Sequence, residues 1–131
     1  MSERLSYLPI AGEHLDGVVR LCEVEGYPSY TADRERTWAA LTAPGVCTMV
    51  AVAPGGIVGF SQMQSDGVIQ AHLSMVVVAR SRRRSGIGRQ LVKEAFRRCG
   101  GQWVDLLSTE DADGFYRSFE HQQFPGYRLH P

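Results

Sequence analysis

Hydrophobic residues change their period several times along the chain, and each change marks an element. Leu5 to Ile10 alternates weakly and carries β-formers, which predicts a first strand ended by Pro9 and the Ala11-Gly12 turn. Leu15, Val18, Val19 and Cys22 then fall at i, i+3, i+4 and i+7, the apolar stripe of a helix. Gly26-Tyr27-Pro28 breaks it. Thr31 is the expected cap of a second helix, with Asp33 and Glu35 near its positive end and Trp38 and Leu41 on one face; Ala43-Pro44-Gly45 stops it. The period next drops to two. Val46 to Val52 reads as a strand, Pro54-Gly55-Gly56 as a hairpin turn, Ile57 to Gln64 as its partner, and Val68 to Val78 as a further strand after Asp66-Gly67.

Beyond an arginine-rich loop, Ile87, Leu91 and Ala95, flanked by Val92, Phe96 and Cys99, form a wide apolar helix face suited to packing on a sheet. Gly100-Gly101 ends that helix. Trp103 to Leu107 predicts a fifth strand, parallel to the fourth because a helix joins them. Ser108-Thr109-Glu110-Asp111 has the form of a helix start, and Ala112, Phe115, Tyr116 and Phe119 are the expected buried stripe of the last helix. Phe124 to Pro131 is expected to add one short strand, the sixth.

Length and composition narrow the class. The 131 residues predict a single domain, 1–131, and the 44% apolar and 21% charged shares are those of an ordinary globular chain. Formal net charge is zero, so global charge points to no partner, and no nucleic acid is expected because the arginines lack interleaved aromatics and a recognition motif. The distribution is more telling, because eight of the fourteen Lys and Arg lie between Arg80 and Arg98. Such a cluster attracts phosphate. Cys22, Cys47 and Cys99 lack metal-ligand spacing and read as reduced thiols; no metal is expected. There is no leader pattern and no apolar run near the roughly 20 residues of a membrane span, so a cytoplasmic enzyme or binding module with no membrane contact is expected.

The candidate chemistry lies in Arg80-Ser81-Arg82-Arg83-Arg84-Ser85-Gly86-Ile87-Gly88-Arg89, which follows the apolar run Met75-Val76-Val77-Val78. A strand that gives way to Gly-x-Gly and a helix leaves several backbone N–H groups unpaired and pointing one way, at the positive end of the helix dipole. Those donors favour a pyrophosphate, and glycine lets it approach. The dinucleotide fingerprint is excluded because its third glycine position is Leu91, and no G-K-[ST] follows for a P-loop.

What remains, Arg83-x-x-Gly86-x-Gly88, resembles the coenzyme A loop of the GNAT superfamily of N-acetyltransferases, usually [QR]-x-x-G-x-[GA]. The last helix is similar to the family's N-x-x-A-x-x-[FL]-Y, with Thr109 in place of Asn before Ala112, Phe115 and Tyr116. The element order matches over nearly the whole chain. The resemblance implies an α/β (α+β) fold: a mixed, mostly antiparallel sheet of about six strands flanked by four helices, its fourth and fifth strands parallel and splayed. It further implies an acetyl-CoA-dependent N-acetyltransferase acting on a small-molecule or peptide amine. Backbone groups of Val76 and Val78 would pair with the pantetheine arm. Arg83, Arg84, Ser85, Gly86, Ile87, Gly88 and Arg89, with Thr109 and Ala112, would bind the coenzyme, and Tyr116 would be the general acid.

The base is less defined. Members often place a Glu on the fourth strand, and Val68 to Val78 has no carboxylate, so His72, directly or through water held by Gln70 and Ser74, is the expected base. Glu23, Glu25, Tyr27 and Tyr30 are the expected acceptor contacts, since that connection borders the acceptor site in the family. The missing carboxylate keeps a second reading open, a non-catalytic acyl-CoA-binding relative. Glu120 to Phe124 stands where the family commonly has Gly-Phe after the last helix, and a bare sheet edge predicts a homodimer.

Overall fold

The computed structural model of the chain describes residues 4–131. Five strands form one sheet in sequential order: β1 (Ser6–Pro9), β2 (Val46–Ala53), β3 (Gly56–Ser65), β4 (Gln70–Val78) and β5 (Trp103–Asp105). The first four are antiparallel neighbours, and β5 lies parallel to β4. Four α-helices accompany them: α1 (Leu15–Glu25), α2 (Arg34–Leu41), α3 (Ile87–Cys99) and α4 (Asp113–Arg117).

Two apolar layers sandwich the sheet. On one face α3 sets Ile87, Leu91 and Ala95, all at most 2% exposed, against Met49, Ala51, Met63, Ala71 and Leu73. On the other, Val18, Leu21 and Cys22 of α1 and Leu41 of α2 pack on Val50, Phe60, Met75 and Val77. The stripe predicted for α3 is the one buried, because one helical face meeting a flat apolar sheet obeys the 3.6-residue period. Burial pushes the Cys22 thiol up to about 11, and burial together with Cys47 pushes Cys99 up to about 12; all three cysteines are free thiols.

Strand β4 contains a feature the alternating pattern hid. Leu73 opposes Met63 and Met75 opposes Gln62, so Ser74 is an extra residue, a β-bulge. The bulge reverses the faces: Ala71 and Leu73 point to α3, whereas Met75 and Val77 point to α1, leaving Val76 and Val78 on the α3 side.

Three expectations are corrected. Helix α2 is capped by Asp33, whose carboxylate accepts from Glu35 N at 3.0 Å and Arg36 N at 3.2 Å, while the Thr31 hydroxyl donates to Pro28 O. Val68 and Ile69 are not strand, because Asp66 Oδ1 accepts both of their amides at 2.7 Å and holds them in a turn. The sixth strand does not form. Residues 124–131 run without a ladder partner among the described residues: β5 is only 3 residues long, and Gly126 lies against Leu107, past its end. Phe124, Tyr127 and Leu129 are 74%, 81% and 79% exposed.

Candidate active site at the strand fork

The β4–β5 ladder covers only Gln70↔Trp103, Ala71↔Val104 and His72↔Asp105. Beyond His72, β4 continues to Val78 with no strand on that side, so the two strands part like a fork. Ala79 N donates to Val58 O on β3 at 2.8 Å. Main-chain groups alternate along a strand, so those of Val78 and Val76 face away from β3, into the fork. That free edge is the kind an extended ligand adds to.

At its end the chain makes a cradle. Arg84 has φ +62°, the only non-glycine with positive φ among the described residues, and Gly86 has φ +87° as the residue before α3. Holding Arg84 there costs on the order of 1 kcal/mol or more, a strain that clusters at ligand clamps. The amides of Arg84, Ser85, Gly86, Ile87, Gly88 and Arg89 find no acceptor among the described residues; the first helix-closing bond is Gln90 N to Gly86 O at 3.1 Å. Six consecutive donors at a helix N-terminus form an anion site. The two glycines serve different ends. A Cβ at Gly86 would meet open space, so its backbone angle requires glycine; a Cβ at Gly88 would lie 3.2 Å from Phe115 Cε1, so there glycine admits α4.

The side chains of the cradle are less free than its amides. Arg83 donates from Nε to Val78 O at 3.2 Å and from Nη2 to Glu25 Oε1 at 2.9 Å. Arg89 reaches Ser118 Oγ at 3.2 Å and lies 4.2 Å above the Phe119 ring. Both guanidiniums therefore brace the loop against α1 and α4.

The remaining candidates group on two sides. Tyr116, half-buried on α4, packs edge-on to Phe115 at 4.9 Å, and burial, with Tyr27 second, raises its hydroxyl above the ordinary 10.0. Tyr27 is raised too, by burial first and then by Glu25, Asp111 and Cys22, against Arg83. Tyr27, Tyr116, Glu25 and Arg83 thus gather near the fork. Glu25 is only 7% exposed and committed to Arg83, Tyr30 OH donates to Gln62 Oε1 at 2.7 Å, and Glu23 faces solvent. Thr109 precedes the short 3-10 turn that ends at Ala112 and leads into α4; its hydroxyl helps hold the Asp111 carboxyl below the usual range. His72 is exposed and lines both the cleft of about 2010 Å3 beside α3, β5 and α4 and a smaller hollow on the α1 side.

A family model described as an acetyltransferase (GNAT) domain matches residues 44–122, the span from β2 through α4 that builds both fork and cradle. The chain belongs to the GNAT acetyltransferase family. Solved structures agree in fold. An acetyltransferase from Trypanosoma brucei is 22% identical, covers 98% of this chain and 100% of its own, and has a TM-score of 0.76. A protein from Bacillus halodurans C-125 described as a transcriptional regulator is 19% identical over 97% and 99%, with a TM-score of 0.81. An aminoglycoside N-acetyltransferase solved with CoA is 19% identical over 98% and 97%, with a TM-score of 0.73. No curated protein matches the sequence significantly.

In this GNAT chain Asp105 carried no sequence signal, because it stands beside His72 only through the parallel register; Ser74, expected as a water holder, accepts from Gln64 Nε2 at 2.9 Å. A carboxylate at the end of a three-residue strand has no motif around it. No helix among the described residues is long and apolar enough to cross a membrane.

Proposed function

We propose that the chain moves an acetyl group from acetyl-CoA to the primary amine of a small molecule or peptide, by direct attack in a ternary complex. The observation that carries this reading is the run of six amides from Arg84 to Arg89 with no acceptor among the described residues, placed at the end of a strand that no other strand pairs on its outer side past His72. The CoA-bound neighbour of the same fold supports the donor. Bound acetyl-CoA supplies the activated acetyl carbonyl. The cradle amides hold the pyrophosphate, and the main chain of Val76 and Val78 aligns the pantetheine arm. The Val76 N–H polarises the carbonyl oxygen. His72, through water shared with Ser74, takes the proton that the attacking amine must lose. As the new C–N bond forms and the C–S bond breaks, Tyr116 O–H delivers a proton to the sulfur. Its raised pKa keeps that proton in place at neutral pH.

Titration calorimetry of acetyl-CoA against the wild type and Gly86→Trp tests the reading. A Cβ at Gly86 meets nothing within 4 Å, so the bulky side chain starts from open space beside the amides it is meant to block, at a backbone cost of about 1–2 kcal/mol for a side chain at positive φ. Micromolar binding by the wild type and none by a variant with native circular dichroism is the expected result. An amine panel then follows thiol release, with Tyr116→Phe expected to lower kcat about a hundredfold. No binding by folded wild type would overturn the proposal. Binding without turnover of any amine would support the non-catalytic reading, which the lack of a carboxylate on β4 favours.

A further inference from the structure

Two cysteines sit where two periodic patterns converge. Cys47 continues the alternation that turns Met49 and Ala51 of β2 towards α3, and Cys99 continues the four-residue step of Ile87, Leu91 and Ala95 along α3. Each lies at the end of its stripe, so packing the helix on the sheet brings them side by side. Cys99 Sγ donates to Met63 O at 3.6 Å, and Met63 is the register partner of Cys47; it also reaches Gly45 O at 3.7 Å, two residues before Cys47. The Cys47 thiol and the Cys47 backbone both lie within hydrogen-bond reach of the same sulfur. Both cysteines are partly open to solvent, whereas Cys22 is buried.

The pair stands at a corner of the fold. Gly100 N closes α3 on Phe96 O at 2.8 Å, Gly100 O accepts from Ser65 Oγ at 2.7 Å, and Gln102 N donates to Ile69 O before β5 begins at Trp103. Three residue pairs then hold β5 to β4. A bond at Cys99 therefore fixes the corner from which the short strand of the fork departs. The cradle is at the other end of α3, about 18 Å away at 1.5 Å per residue.

We propose that Cys47 and Cys99 are a reversible redox site, oxidised by a small-molecule disulfide of the glutathione class to an intramolecular disulfide that staples α3 to β2. In the first exchange the Cys47 thiolate attacks one sulfur of the oxidant, which releases one thiol and leaves a mixed disulfide on Cys47. Cys99 then gives its proton to water and attacks the Cys47 sulfur, expelling the second thiol. The protein loses two electrons and two protons, and the two released thiols carry them. Burial and the neighbouring Cys47 push the Cys99 thiol up to about 12, which makes the second exchange the slow one. The bridge closes a loop of about 50 residues and stabilises the fold by restricting the unfolded chain.

Tryptic mapping of native wild type after prolonged incubation with oxidised glutathione tests the inference, because trypsin leaves the three cysteines on separate peptides, 21–34, 37–80 and 99–117. Peptides 37–80 and 99–117 should be linked by a bond that dithiothreitol cleaves, and the oxidised protein should melt about 10 °C above the reduced one. Cys99→Ser should stop at the mixed disulfide on Cys47, and neither it nor Cys47→Ser should gain the melting shift. Where a serine variant fails to fold, the wild-type map and melt decide alone. Folded wild type that keeps both thiols, holds only glutathione adducts, or links through Cys22 or between molecules would overturn the inference, as would a linked pair that melts no higher than the reduced protein.

Discussion

Tyr30→Phe asks whether the connection between α1 and α2 is held by the protein or meets the acceptor. Tyr30 ends a short 3-10 turn, Pro28–Tyr30, and its hydroxyl donates to Gln62 Oε1 at 2.7 Å. Gln62 is 3% exposed, and its Nε2 donates to Ala40 O at 3.2 Å, so one glutamine of β3 ties down both the turn and the end of α2. Removing the hydroxyl leaves a buried amide oxygen without a donor, a loss of about 1–3 kcal/mol. Tyr30 itself is half-buried, so water reaches the gap in part, and about 1.5 kcal/mol is the working value. At ~2.1 cal/mol/K per residue, 131 residues give a melting entropy of about 0.28 kcal/mol/K. The melting temperature should therefore fall by about 5 °C, read by calorimetry or circular dichroism. A shift below about 1 °C, accompanied by a raised KM for the amine, would refute the reasoning and return Tyr30 to the acceptor site.

Two further outcomes follow from ion pairs and turns. Arg83→Ala strands the Glu25 carboxylate, 7% exposed, and should cost about 1–2 kcal/mol, the lower end because the guanidinium is half-exposed; Arg83→Ala with Glu25→Gln should recover part of it, and additive urea-melt losses would contradict the pairing. Asp66 has a folded pKa below the ordinary 3.8, so its stabilising contribution is complete above that value and is lost as pH falls through the lower folded one. The stability gap between wild type and Asp66→Asn should therefore stay level near neutrality and close only below pH 3.8; a gap unchanged in acid would show that the charge is not involved.

Several parts of this protein were legible from local pattern alone. The buried stripe Ile87, Leu91 and Ala95, the meander from Val46 to Val78 and the cradle at Arg83-x-x-Gly86-x-Gly88 each depend on neighbours within a few residues. Periodicity and turn chemistry act over that range, so the chain by itself determined them. The partners of the arginines were decided elsewhere. Arg83 and Arg89 were expected as phosphate ligands, and only the packing of α1 and α4 shows the contacts they make within the protein, with Glu25, Ser118 and Phe119. Gly88 owes its small size to Phe115, and the bulge at Ser74 exists only in the pairing of β4 with β3. The tail from Phe124 to Pro131 was expected to add a strand, but a strand exists only where another offers its edge, and two prolines and a glycine in eight residues weaken it further. Asp105 meets His72 for the same reason: register between strands is a property of the assembled sheet, and only the tertiary structure decides it.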